Sequence, residues 1–162
     1  MPRATDPGES EASGGPDSPQ ELRARALRLL ARREHTQAEL RRKLSPRAES
    51  AEALDRLIEE LVAKKQLSDE RYAGERVHVL SRRYGASRIR QDLKSRGVDD
   101  ATAARAAAEA AVTDFERAKA IYARRYRVPP ADAAERAKRM RFLQGRGFSH
   151  AIIRSLTGGD EE

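Results

Sequence analysis

The 162 residues combine 38% hydrophobic with 36% charged side chains, only 4% aromatic and no Trp, at a mean hydropathy of −0.82. Any core is therefore thin and built from Ala, Leu and Ile stripes, which excludes a large sandwich or barrel. The net charge of +7 hides an asymmetry: residues 1–20 and 157–162 each carry −3, leaving +13 on residues 21–156, a surplus that favours a polyanionic partner.

Residues 1–20 are rich in Gly, Pro and Ser and acidic, and they read as disordered, because so few apolar side chains cannot offset ordering entropy. From Glu21 the pattern turns helical. Leu22, Ala26, Leu29 and Leu30 form the stripe of a first helix to about Arg33. Thr36 and Glu39 have capping-box spacing and open a short helix that buries Leu40 and Leu44 and stops at Ser45-Pro46. Leu54, Leu57, Ile58, Leu61 and Val62 predict a third helix ending near Lys65.

Ser68 caps a fourth helix, acidic in its first turn at Asp69 and Glu70, with Ala73, Val77, Leu80 and Tyr84 as its stripe. Gly85 interrupts, a fifth helix runs through Ile89 and Leu93, and Gly97 closes it as a left-handed cap. Asp99 or Asp100 starts an Ala-rich sixth helix to about Ala111. Phe115, Ala118 and Tyr122 mark a seventh, and Pro129-Pro130 break the chain. Ala133, Ala137, Met140 and Leu143 mark an eighth that ends at Gly147, and Ser149 caps a ninth that buries Ile152, Ile153 and Leu156.

The spacing repeats. Leu30, Arg32 and Arg33 precede Leu80, Arg82 and Arg83 by 50 residues, and with a one-residue slip Leu40 and Leu44 match Ile89 and Leu93. A third copy aligns at an offset of 63, pairing Leu143, Ile152 and Leu156 with Leu80, Ile89 and Leu93. The expected fold is all-α, an elongated tandem array of three three-helix repeats over 21–67, 68–112 and 113–156, followed by an acidic tail, 157–162. With ~1.5 Å rise per residue and ~10 Å between packed helices, such an array reaches on the order of 60 Å.

Little in the sequence points to catalysis. The absence of Cys excludes disulfides, thiolate metal sites and cysteine nucleophiles. His35, His78 and His150 are scattered without ligand spacing, and no phosphate loop or nucleophile elbow occurs, so the chain reads as a non-enzyme without metal or cofactor. No run approaches the roughly 18 apolar residues of a membrane span, and Met1–Gln20 lacks the apolar core of a signal peptide, so a cytoplasmic monomer is expected. The basic residues cluster instead. Arg32, Arg33, Arg41, Arg42 and Lys43 fall in the first unit, and Arg82, Arg83, Arg88, Arg90, Lys94 and Arg96 in the second. Arg124, Arg125, Arg139, Arg141 and Arg146 fall in the third. Charge this dense is better tolerated beside acidic groups or phosphate, which makes these residues the candidate partner or DNA-binding surface.

Several segments resemble the RecX family of recombinase regulators. They are Lys65-Gln66-Leu67-Ser68-Asp69-Glu70-Arg71-Tyr72-Ala73, Arg83-Tyr84-Gly85, Asp92-Leu93-Lys94-Ser95-Arg96-Gly97-Val98, Phe142-Leu143 and Arg146-Gly147-Phe148. The opening Leu29-Leu30-Ala31-Arg32-Arg33 with Glu39-Leu40 and Lys43-Leu44 fits as well, so the resemblance spans about residues 22–156. Gln66 and Ser68 stand where the family more often has Gly and Asp, and Gly145 replaces a common basic residue. The resemblance implies binding to the RecA recombinase filament on single-stranded DNA, with inhibition of its extension, ATP hydrolysis, strand exchange and co-protease activity. It gives Asp69, Tyr72, Gly85, Gly97, Gly147 and Phe148 structural roles as caps, turns and hairpin packing. The alternative reading of the same charge is a stand-alone helical DNA- or RNA-binding module, and a third is a protein adaptor whose Arg excess is compositional.

Overall fold

The computed structural model describes residues 14–158, and within them the chain is helical throughout, with no strand. The helices are α1 (Pro19–Arg32), α2 (Gln37–Leu44), α3 (Ala51–Ala63), α4 (Asp69–Leu80), α5 (Ala86–Ser95), α6 (Asp100–Ala111), α7 (Asp114–Arg125), α8 (Ala133–Gly145) and α9 (His150–Thr157). Their ends follow local chemistry. The side chains of Thr36, Ser50, Ser68, Asp99, Asp132 and Ser149 each accept a hydrogen bond from the backbone N–H three residues on. Gly97 and Gly147, both at φ +88°, turn the chain out of α5 and α8.

One cap differs from expectation. The reciprocal capping box forms at Ser18 and Glu21, whereas at α2 only the Thr36 half is made. The Glu39 carboxylate turns instead to Arg33 and Lys43, because a full charge offers it more than the backbone N–H does.

The apolar stripes close into three separate cores arranged along the chain. Leu22, Ala26, Leu40, Leu44, Leu54, Leu57, Ile58, Leu61 and Leu67 form the first. Tyr72, Ala73, Ile89, Leu93, Val98, Ala103 and Ala110 form the second, and Ala118, Leu143, Phe148 and Ile153 the third. Apart from α6 against α7, every extensive helix–helix contact lies within one of these units, so the molecule is a tandem array rather than a globule around one core. Val62 and Phe115 are more exposed than their place in the stripes implies.

The register of the third copy also needs correction. Helix α8 is the counterpart of α5, not of α4. Leu143 matches Leu93, and Gly147 matches Gly97 in both position and φ, so the offset is 50 rather than 63. The offset of 63 aligned leucines one helix out of step, which a repeat of similar short helices permits.

The reading of residues 1–20 as disordered is corrected at its end. Asp17 is buried, and its carboxylate accepts from Arg25 Nε and Arg47 Nη2, both at 2.8 Å. Its backbone N–H donates to the Arg47 carbonyl at 2.8 Å, and the residues after it open α1. Hydrogen bonds from the two guanidinium groups hold this acid below its ordinary pKa. They also supply the order that apolar content could not. Residues 1–13 lie outside the described residues. In the acidic C-terminal segment Thr157 is buried and Gly158 ends α9, while 159–162 lie outside the described residues.

The units meet at two joints built alike. At the first, the N-terminus of α2 meets the last turn of α5. Thr36 Oγ1 donates to the Arg96 carbonyl at 3.0 Å, and Gln37 N–H donates to Asp69 at 2.8 Å. At the second, the N-terminus of α5 meets the last turn of α8. Gly85 N–H donates to the Arg146 carbonyl at 2.7 Å, and Ala86 N–H donates to Asp114 at 3.1 Å. Burial pushes Asp69 and Asp114 above the ordinary carboxylate range. Both joints leave no room for a side chain: a Cβ on Gly97 would lie 2.4 Å from Ala38 Cβ, and one on Gly147 would lie 2.4 Å from Arg88 Cβ.

Candidate polyanion interface

The basic residues singled out by charge separate into distinct groups. Many in the first two units are neutralised internally. Arg33 and Lys43 share Glu39, Arg41 pairs with Asp55 at 3.1 Å, and Arg96 joins Arg76 on Asp92. Arg90 and Lys94 share Asp100. The hydrogen bond from Arg33 carries the Glu39 pKa down to about 2; burial opposes the shift at Asp92, but Arg76 and Arg96 still hold it below the usual range.

Arg139 does not belong to the surface at all. It is 4% exposed, with Nε donating to Glu135 at 3.1 Å and Nη1 to Tyr122 Oη at 3.1 Å and the Val128 carbonyl at 2.8 Å. Its guanidinium stacks 4.4 Å from the Tyr126 ring centroid, so it ties the 126–132 segment to α8. Charge counting placed it outside, although at the offset of 50 it takes the place of the buried Ile89 on α8. Arg117, which no sequence motif marked, is likewise structural. It donates to the carbonyls of Ser81, Tyr84 and Ala110 and pairs with Asp114.

The remaining cations are left without acidic partners. Among the described residues Arg32, Arg42, Arg82, Arg83, Arg124 and Arg141 are exposed and form no side-chain ion pair. Arg83 and Arg141 converge with Arg88, Arg125 and Arg146 on an open cleft over the second joint, lined also by Tyr84, Phe142 and Gly145. Among the described residues no carboxylate lines it.

The cleft's two rings hold its arginines in place. Arg88 lies 4.4 Å and Arg146 5.7 Å from the Tyr84 ring centroid; Arg125 lies 4.8 Å and Arg146 5.1 Å from that of Phe142. Arg88 also donates to the Gly145 carbonyl at 2.6 Å, and Arg146 to the Arg83 carbonyl at 3.3 Å. A guanidinium held over a ring can still turn N–H donors toward an oxyanion. Tyr84 packs against the second core as its place in the stripe implies and also faces the cleft, while Phe142 occupies the position that Asp92 holds one unit earlier.

The residues of the family pattern lie at the joints and in the cores. Gly85, Gly97 and Gly147 make the joints, Asp69 accepts across the first, and Tyr72 and Phe148 fill the second and third cores.

The units correspond in order to three family models. Residues 23–61 match the RecX first three-helix domain, 68–106 the second and 113–156 the third. The chain belongs to the RecX family. Proteins called Regulatory protein RecX resemble it along almost their whole length. That of Ralstonia pickettii is 44% identical over 147 residues, covering 91% of this chain and 92% of the relative. That of Herbaspirillum seropedicae is 43% identical over 139 residues, covering 86% and 90%. The crystal structure of RecX from Lactobacillus salivarius has the same fold, with a TM-score of 0.74 at 22% identity over 87% of this chain and 95% of that one. Membership in the RecX family carries a regulatory role, and no described helix is long and apolar enough to cross a membrane.

Proposed function

We propose that this protein is a negative regulator of the RecA recombinase. It lies along the groove of the RecA filament on single-stranded DNA and inhibits filament extension, ATP hydrolysis, strand exchange and co-protease activity. The observation that carries this reading is the match of all three units, in order, to proteins named Regulatory protein RecX over about nine-tenths of their length.

The physical account follows from the array. Three small cores joined end to end make a long body that spans several protomers of a helical assembly better than it fills a pocket. Cations without internal partners, Arg82, Arg83, Arg124 and Arg141 foremost, seat it on acidic side chains and phosphate. A body bound to neighbouring protomers at once favours the conformation it bridges, and so opposes the motions that turnover and pairing require. It acts as a monomer in the cytoplasm.

The test adds the protein to recombinase preassembled on single-stranded DNA and follows ATP hydrolysis. A fall in rate that saturates with added protein is expected. An unchanged rate at saturation would overturn the proposal.

A further inference from the structure

The two joints share a backbone design, and comparing their side chains isolates one difference. Helix α2 corresponds to α5 at an offset of 49, since Thr36 and Gly85 are the N-caps, and α5 corresponds to α8 at 50. At the first joint the third residue of α2 is Glu39, which binds Arg33 and Lys43. Its counterpart in α5 is Arg88. Likewise Asp92, which binds Arg76 and Arg96, is replaced in α8 by Phe142. Two carboxylates that neutralise the first joint have become an arginine and an aromatic ring at the second.

The consequence is five guanidinium groups facing one cleft with no counter-charge among the described residues. Like charges held this close repel, and stacking on Tyr84 and Phe142 fixes them in place instead of letting them swing apart. Such an arrangement lowers its energy by taking up an external anion. The cleft, at about 670 Å³, is far larger than one oxyanion needs and is open to solvent, so it has room for more than one anionic group. The set is all Arg, the side chain whose planar fork matches phosphate oxygens. Because the ring faces are already covered by guanidinium groups, recognition runs through the backbone of the ligand and not through base stacking.

We propose that the cleft over the joint between the second and third repeats, formed by Arg83, Arg88, Arg125, Arg141 and Arg146, binds the phosphodiester backbone of a single nucleic-acid strand without regard to sequence. Since the arginines come from both repeats, a bound strand also fixes the angle between them. The proposal rests on the function above only for the kind of polyanion. Its experiment uses the protein alone, so a protein that binds the strand but leaves recombinase turnover unchanged would fail that function and not this site.

The experiment measures fluorescence anisotropy of a labelled oligothymidylate against the full chain over a salt series. Two double variants are compared, Arg83→Glu with Arg141→Glu in the cleft, and Arg32→Glu with Arg42→Glu on the first repeat. All four side chains are exposed and hold nothing in the fold, and thermal melts confirm that both variants fold. The cleft pair is expected to weaken binding at least about ten-fold and to flatten the salt dependence by about two phosphate contacts, whereas the first-repeat pair shifts it less than about three-fold. Replacing the thymidines by another base is expected to change little. Equal losses in the two variants, or none in the cleft pair, would overturn the assignment. So would displacement of the strand by polyglutamate as readily as by an unlabelled strand, which would make the ligand an acidic polypeptide, or binding of free tripolyphosphate as tight as that of the strand.

Discussion

Single residues show where reading charge from sequence succeeds and where it stops. Glu39 was identified from its spacing to Thr36, yet its work is electrostatic: Arg33 and Lys43 hold it ionised with a pKa of about 2, against an ordinary 4.5. A carboxyl group with a depressed native pKa contributes stability that is present above its unfolded value and is lost as pH falls through the native one. The acid limb of stability is therefore expected to fall between about pH 4.5 and 2 in part through Glu39. Urea denaturation over that range should show a flatter limb for Glu39→Gln, with a loss near neutrality of about 1 kcal/mol, since its partners are half exposed. A limb unchanged by the substitution would contradict the pairing. Asp69 and Asp114 act with the opposite sign: burial raises them, so their contribution is present at low pH and is lost as pH rises through the raised values. The burial of Asp17 was not legible, because its partners lie 8 and 30 residues away where no local pattern connects them, and that of Arg139 shows only once the offset of 50 sets it at the place of Ile89.

At the scale of elements the sequence was far more informative. Capping side chains, glycines at helix ends and apolar stripes placed the nine helices of the described residues, because each of these signals acts within one or two turns. The register of the third repeat was not legible in the same way, since leucines recur in every helix and only the geometry of Gly97 and Gly147 fixes which helices correspond. That geometry makes a distinction between the joints. Gly97→Ala and Gly147→Ala are each expected to destabilise by about 1–3 kcal/mol, through a positive φ and a blocked Cβ. At Gly97 the close obstacle is the Ala38 methyl, so Ala38→Gly should recover part of the loss. At Gly147 the Arg88 backbone nitrogen itself would lie 2.6 Å from the new Cβ, so Arg88→Gly should not. Thermal melts of the four variants check this; equal recovery at both joints would show that the backbone contact at the second is unimportant.

For the whole molecule, the tandem arrangement followed from composition and spacing: a thin, aromatic-poor chain of short amphipathic helices buries its stripes only by stacking small units. The excess of +13 was equally visible, but its distribution was not. Internal ion pairs engage many of the cations in the first two repeats, whereas among the described residues the five arginines of the cleft over the second joint have no acidic partner. The proposed grip on a nucleoprotein filament then depends on that cleft. The most direct measurement is the dose dependence of inhibition of filament ATP hydrolysis, comparing the natural chain with Arg83→Glu plus Arg141→Glu. The half-inhibiting concentration is expected to rise at least about ten-fold in the variant while its melting temperature stays the same; superimposable curves would contradict the account.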